Sequence, residues 1–350
     1  MERQRLGLTP VSVSRVIHGC MGFSEDAARS TRAIHAAFAA GVTSFDTAPL
    51  YGFGRSEEVL GAALADRRGQ AQILTKVGLR WDAAFGRVLF EITDAGGRRV
   101  VRKDSRPSSL RGEVEASLRR LKVDALDLLQ VHHRDTETPL PETMAALAQL
   151  VEDGKVRAIG ISNFSLGDTQ DAAHGLGALP LASTQLEYNL IERRIEKDLL
   201  PWARSHSVSV LAYSPFAQGV LAGRQRGAAA LPSDWRRGSV AFSPENLRII
   251  NQALERGALP IAEARGASLA EVSLAWLLAQ PGLTAVVVGA STEEQATANA
   301  RASDLHLTEE ELRQLASAWN GLELVRPRSS ATPVERTVRK VRSLLSRLIR

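Results

Sequence analysis

Short apolar runs alternate with stretches of helical spacing along most of the 350 residues. Residues 5–14 alternate apolar and polar positions around Thr9-Pro10, which predicts a short hairpin. A first apolar run follows at 16–19, and then 27–40 has helical spacing that stops at Gly41. Further strand-like runs lie at 42–46, 73–76, 126–131, 159–162, 184–187, 208–213 and 284–288. Helical stretches at 56–65, 107–121, 141–152, 166–173 and 196–205, and the pair 245–264 and 269–280, separate them. Strict strand–helix alternation favours a parallel sheet, and eight such units favour closure. The fold read is therefore α/β, a (β/α)8 TIM barrel with an N-terminal β-hairpin. An open doubly wound sheet is the rival, but it normally carries a Gly-rich fingerprint in its first strand–helix turn. His18-Gly19-Cys20-Met21-Gly22-Phe23 is not one.

Two connections, 77–106 and 214–244, are long for this architecture. The first carries Trp81, Phe85 and Phe90, the second Phe216, Trp235 and Phe242. Aromatics on exposed loops cost solubility, so both loops are expected to fold over the rim and line a pocket.

Composition alters this picture only at the C-terminus. With 44% hydrophobic and 24% charged residues the chain is an ordinary globular one. Its single cysteine, Cys20, cannot form an internal disulfide and suits a reducing compartment. The N-terminus lacks the basic flank and apolar run of a secretory signal, and no window reaches the ~18 apolar residues that span a bilayer. The expected address is the cytoplasm. The formal charge of +5 is unevenly placed: residues 324–350 hold eight Arg and Lys against Glu335 alone, a net +7 that leaves −2 for the rest. This gives no reason to expect nucleic-acid binding by the body. The domain reading is a barrel over 1–323 and a basic tail over 324–350. In the tail Val334, Val338, Val341, Leu345 and Leu348 form one apolar face opposite Arg and Lys, which predicts a basic amphipathic helix. Such a helix packs on the barrel or a partner subunit, or docks weakly on an anionic membrane surface.

The polar residues at strand ends form a chemical set. Asp46 ends the second strand, Lys76 the third and His132 the fourth, and in a parallel barrel these ends meet on one face. Tyr51 follows Asp46 on a turn that Gly52 and Gly54 keep open. A lysine finishing an apolar strand is costly unless a carboxylate accepts it, and Asp46 is the nearest candidate. A cation beside a phenol is expected to lower the tyrosine's pKa toward the working pH, and His132 to orient the same substrate oxygen. A purely structural ion pair or a core histidine would explain each residue singly, but four converging on one rim favour machinery that protonates a carbonyl. His132 and His133 are adjacent on a strand, so they are expected on opposite faces, against a two-histidine metal site.

Protonating a carbonyl requires a hydride or a nucleophile alongside. There is no Gly-x-Ser-x-Gly elbow and no metal-ligand cluster in the sequence, so a soluble redox cofactor is the natural supplement. Ser162 and Asn163 end the fifth strand, where a hydroxyl and an amide suit a carboxamide, and Tyr213-Ser214-Pro215 ends the seventh, where a ring suits stacking. Gly289-Ala290-Ser291-Thr292 closes the eighth strand and opens a helix, a natural phosphate position.

These residues resemble the aldo-keto reductase superfamily. The matching segments are Phe45-Asp46-Thr47-Ala48 with Tyr51-Gly52, Thr75-Lys76, Gln130-Val131-His132, Gly160-Ile161-Ser162-Asn163-Phe164, Ala212-Tyr213-Ser214-Pro215, and Gly289-Ala290-Ser291 with Gln295 and Asn299. Within it, 48–58 is most similar to the bacterial stress-protein and sugar-metabolism-like branches. The resemblance implies a barrel that binds NADP(H) in an extended pose, with Tyr51 as general acid, Lys76 and Asp46 as its tuning pair and His132 as the orienting group. It implies Ser162, Asn163 and Gln185 on the carboxamide and Tyr213 on the nicotinamide. Ser214, Gly219 and Leu221 would follow the pyrophosphate, with Gly289, Ser291, Gln295 and Asn299 around the adenosine half. The expected activity is NAD(P)H-dependent reduction of aldehydes or ketones, or the reverse. A low-turnover nucleotide-binding sensor or partner-binding module on the same fold is the alternative.

The chain departs from the family pattern at two places. Many relatives carry Lys or Arg near 289–295 to grip a 2′-phosphate, where this chain has Glu293 and Glu294, so NAD is the alternative cofactor. His133-Arg134-Asp135 stands where the family often has Trp or Arg with Pro, which leaves the substrate open.

Overall fold

The computed structural model describes residues 1–22, 26–94, 97–224 and 239–325. Strands β1 (Arg3–Arg5) and β2 (Ser12–Ser14) pair antiparallel as the expected hairpin. The chain then lays down β3 (Val16–Gly19), β4 (Ser44–Asp46) and β5 (Gln72–Val77). It leaves the barrel through β6 (Leu79–Arg80), β7 (Arg87–Asp94) and β8 (Gly97–Lys103) and returns as β9 (Leu128–Val131), β10 (Ile159–Ser162), β11 (Leu181–Glu187), β12 (Ser209–Tyr213) and β13 (Leu283–Gly289). Strands β3, β4, β5 and β9 to β13 close in that order, all parallel, with β13 paired back onto β3. Closure excludes the open-sheet rival.

The α-helices among the described residues are α1 (Ala27–Ala39), α2 (Arg55–Ala63), α3 (Pro107–Leu121), α4 (Leu140–Glu152), α5 (Leu166–Gly175), α6 (Leu199–Ser205), α7 (Pro244–Ala253), α8 (Leu259–Arg265), α9 (Leu269–Leu278), α10 (Glu293–Arg301) and α11 (Glu309–Trp319). The last of these was not read from the sequence, although Thr308 and Glu311 form a capping box at its start.

Strand alternation explains the site's position. Residues of one parity, such as Phe45, Ile73 and Leu129, face the helices and join Ile34, Leu60, Val114 and Leu147 in the main core. The other parity points into the barrel, where Ile17, Leu74, Leu128, Ala158, Leu211 and Ala285 form a second core with Leu6, Val11 and Val13 of the hairpin. The hairpin thus plugs the N-terminal end. Gly7 at its tip has φ +52°, and a Cβ there would stand 2.6 Å from the Ser207 carbonyl oxygen. Two residues further along each strand the interior becomes polar, with Lys76 above Leu74, Gln130 above Leu128 and Tyr213 above Leu211.

The connection 77–106 is not the irregular loop expected. It forms an antiparallel arm in the order β6-β8-β7, with Arg87–Asp94 paired to Gly97–Lys103 from Asp94 opposite Gly97 to Arg87 opposite Lys103. The arm folds over the rim as expected: Leu79, Leu89, Phe90 and Val101 cluster with Ala48, Leu50 and Tyr51. Phe85 is the exception, at 66% exposed, with the Arg106 guanidinium over its ring. In the second long connection Phe242 is buried, whereas Trp235 lies outside the described residues, as does the expected basic helix from residue 326 on.

The helix expected over 245–264 is interrupted by a π-helical turn, Leu254–Ala258. Pro260 has no N–H to offer the Arg256 carbonyl. Gln314 Nε2 of α11 takes over, donating to the carbonyl oxygens of Arg256 (3.3 Å) and Gly257 (3.1 Å).

Glu113 of α3 anchors the root of the arm, its Oε2 accepting from Gly78 N at 2.9 Å while its buried Oε1 has no hydrogen-bond partner among the described residues. Burial pushes this carboxyl up to about 8. The folded pKa lies above the unfolded one, so the associated stability is full below the ordinary carboxylate range and lost as pH rises toward 8. The melting temperature of the wild type should therefore fall more steeply between pH 5 and pH 8.5 than that of Glu113→Gln, as read by calorimetry. Parallel curves would refute the assignment.

Candidate active site

Strand β4 delivers Asp46 and β5 delivers Lys76 to the polar tier of the barrel, 2% and 1% exposed. Lys76 Nζ donates to Asp46 Oδ1 at 2.5 Å and to the Thr47 carbonyl oxygen at 3.1 Å. The other carboxylate oxygen of Asp46 accepts from Gln185 Nε2 at 2.8 Å and Gln130 Nε2 at 3.2 Å. A buried charge is tolerable only when so fully bonded.

Tyr51 opens the short turn Tyr51–Gly54 that leads into α2. Its ring lies 5.1 Å from Lys76 Nζ and meets the His132 ring edge-on, centroids 6.0 Å apart. The sequence reading of the phenol's pKa is corrected: burial, opposed by Lys76 and reinforced by Asp46, pushes Tyr51 up rather than down. For Lys76 burial works against the charge, but Asp46 and Tyr51 outweigh it and raise the ammonium's pKa. Burial, then Lys76 and His133, hold the His132 imidazole well below its usual range, so it is neutral at pH 7. The arrangement presents a phenol O–H and a neutral imidazole side by side.

His132 and His133 do not point to opposite faces. β9 ends at Val131, and beyond it the two rings stack at 5.4 Å with planes 12° apart.

The residues expected around a nicotinamide form one hydrogen-bonded group. Tyr213 OH donates to Asn163 Oδ1 at 2.7 Å, Asn163 Nδ2 donates to Ser162 Oγ and to the His132 carbonyl oxygen at 3.0 Å each, and Ser162 Oγ donates to the Gln185 carbonyl oxygen. Asn163 and Ser214 both have left-handed backbone, φ +62° and +54°, at the ends of β10 and β12. Gln185 Nε2, however, is engaged by Asp46 and by Gln130 Oε1. Gly219 is buried at φ +101°, the Leu221 side chain lies in the main core, and the N–H groups of Gly219 and Leu221 both donate to the Phe216 carbonyl oxygen, at 2.8 and 3.1 Å.

Gly289, Ser291, Gln295 and Asn299 gather where β13 passes into α10. Gln295 Oε1 accepts from Ser291 N at 2.9 Å, and Asn299 Nδ2 donates to the Gly289 carbonyl oxygen at 3.3 Å. Two arginines of α1 stand beside the Glu293–Glu294 pair. Arg32 of α1 pairs with Glu293 at 3.2 Å, and Arg29 Nε donates to the Ser291 carbonyl oxygen at 2.6 Å. These two arginines and Gln130 were not read from the sequence as site residues. Only Gln130 left a signal, a polar residue inside an apolar strand.

A closed (β/α)8 barrel thus carries a phenol and a neutral imidazole beside a buried Asp–Lys pair, an arrangement chemically suited to carbonyl compounds and alcohols. The aldo/keto reductase family pattern matches residues 15–320, and the chain belongs to that family. It is an oxidoreductase of carbonyl and CH–OH groups, in a family that uses NAD(P)H. It is 33% identical to the aldo-keto reductase YhdN of Bacillus subtilis over 90% of this chain and 92% of that one. It is 32% identical to an NADH-specific methylglyoxal reductase of Escherichia coli over 91% of this chain and 99% of that one. The glycerol dehydrogenase AKR11B4 of Gluconobacter oxydans superposes with a TM-score of 0.82 at 34% identity, covering 94% of this chain and 98% of that one.

The buried pair makes a stability prediction. Lys76→Met leaves Asp46 charged and unpaired and should cost about 3–5 kcal/mol, and adding Asp46→Asn should recover much of it. Additive losses in urea unfolding would contradict the pairing.

Proposed function

We propose that this enzyme reduces small aldehydes or ketones, with Tyr51 as the general acid. The observation that carries the reading is Tyr51 lying between the Lys76–Asp46 pair and the neutral His132 ring. The Tyr51 hydroxyl donates its proton to the carbonyl oxygen, and His132 donates an N–H to the same oxygen and orients it. Lys76 then balances the charge left on the phenolate, and Asp46 keeps Lys76 protonated and in place. In the reverse direction the phenolate accepts the alcohol's proton. Relatives named for methylglyoxal and glycerol support small, polar, oxygen-rich substrates.

A nicotinamide nucleotide, when bound, supplies or accepts the hydride. The linked amide and hydroxyls of Ser162, Asn163 and Tyr213 fit its nicotinamide end, and Ser214, Gly219 and Leu221 would follow its pyrophosphate. Gly289, Ser291, Gln295 and Asn299 would take the adenosine end. NADP is the family expectation; Arg29 and Arg32 offset Glu293 and Glu294, so the charge there suits NADP or NAD.

Tyr51→Phe should lower kcat by about 10²–10⁴-fold while leaving nucleotide affinity by tryptophan fluorescence unchanged. Wild-type activity in that variant would overturn the role. Reduction needs Tyr51 protonated and His132 neutral, so kcat/KM should be level across the ordinary histidine range near 6.5 and decline only above the ordinary phenol value near 10. An inflection between pH 6 and pH 7 would contradict it.

A further inference from the structure

Tyr51 and His132 follow different strands, β4 and β9, with β5 between them. The arm grows out of β5, and its strand β8 touches the loops on both sides. Alternation puts Arg99, Val101 and Lys103 on one face of β8. Val101 is fully buried in the cluster that contains Tyr51. Arg99 lays its guanidinium 4.2 Å from the ring centroid of Phe53, two residues after Tyr51. Lys103 Nζ donates at 2.9 Å to the Arg134 carbonyl oxygen, two residues after His132.

Both loops need holding. Phe53 has left-handed backbone, φ +54° and ψ +48°, between Gly52 and Gly54, which are also left-handed. Such a conformation is disfavoured for a phenylalanine and persists only where its surroundings enforce it. Arg99 covers one part of the ring and Trp81 of the arm meets it edge-on at 5.4 Å. On the other side the arm is joined to the His132 loop a second time, by Ser105 N donating to Asp135 Oδ2 at 3.0 Å. His133 in turn stacks on His132.

We propose that β8 is a positioning element that sets the proton donor and the orienting imidazole relative to each other, Arg99 acting through Phe53 and Lys103 through the Arg134 carbonyl. This rests on the reading of Tyr51 as the acid. Neither residue is assigned to substrate; each is a positioning residue.

The test uses the full-length enzyme with a neutral aldehyde, propanal, so that the charge of the substrate plays no part. Arg99→Gln and Lys103→Met should each lower kcat by about 10–100-fold, because small displacements of reacting groups cost rate. KM, nucleotide affinity and melting temperature should stay near wild type. Arg99→Lys, which keeps a cation over Phe53, and Lys103→Arg, which keeps a donor to Arg134, should restore most of the rate. Phe53→Leu should match Arg99→Gln, and the double variant should be no slower than either single one. An effect on KM with kcat intact would overturn the proposal and make the arm a substrate contact. Equal loss in the conservative variants, or rate losses that track melting temperature, would also overturn it. Full turnover in Tyr51→Phe would instead remove the reading beneath it, so the two failures are distinct.

Discussion

A lysine ammonium with 1% of its surface exposed sits inside the barrel, and the rim is built around its satisfaction. Asp46 accepts it through one oxygen and takes two glutamine amides on the other, so that a single carboxylate ties together β4, β5, β9 and β11. Removing one member of such a pair costs several kcal/mol because the remaining charge is stranded. The pair is therefore a fixed feature of the fold on which Tyr51 is placed.

The electrostatic balance at Tyr51 follows from that arrangement. Burial raises the phenol, Lys76 lowers it and Asp46 partly cancels Lys76. Burial prevails, which keeps the phenol protonated across neutral pH, the state a proton donor requires. The same burial with the same lysine nearby keeps His132 neutral. In the proposed mechanism Lys76 does most after the proton has left, when the phenolate lies close to a fixed cation.

Much of this was legible in the sequence because strands and charges obey strong local rules. The run Val16–Gly19 and the helix Pro107–Leu121 end where their patterns end. Asp46 and Lys76 stood out because charges at the ends of apolar strands need each other. What escaped depends on contacts between distant segments. The arm was read as loop because a strand-to-helix connection was expected there and neither strand alternates: Val88-Leu89-Phe90 is a continuous apolar run, and Arg98-Arg99 and Val100-Val101 are adjacent like residues. The π-helical turn needs Gln314 from another helix, the histidine stack depends on where β9 stops, and Arg29 and Arg32 meet α10 only in space.

Tyr51 is buried and held protonated, yet it is electrostatically tied to Lys76. Tyr51, Tyr188 and Tyr213 are the only tyrosines, and the other two are also raised by burial. Ultraviolet tyrosinate titration of the wild type, with Tyr51→Phe subtracted, isolates the Tyr51 phenol. That phenol should ionise above the ordinary value near 10, and higher still in Lys76→Met, where the opposing cation is gone. A Tyr51 phenol that titrates below the ordinary value, or one that Lys76→Met leaves unmoved, would contradict it.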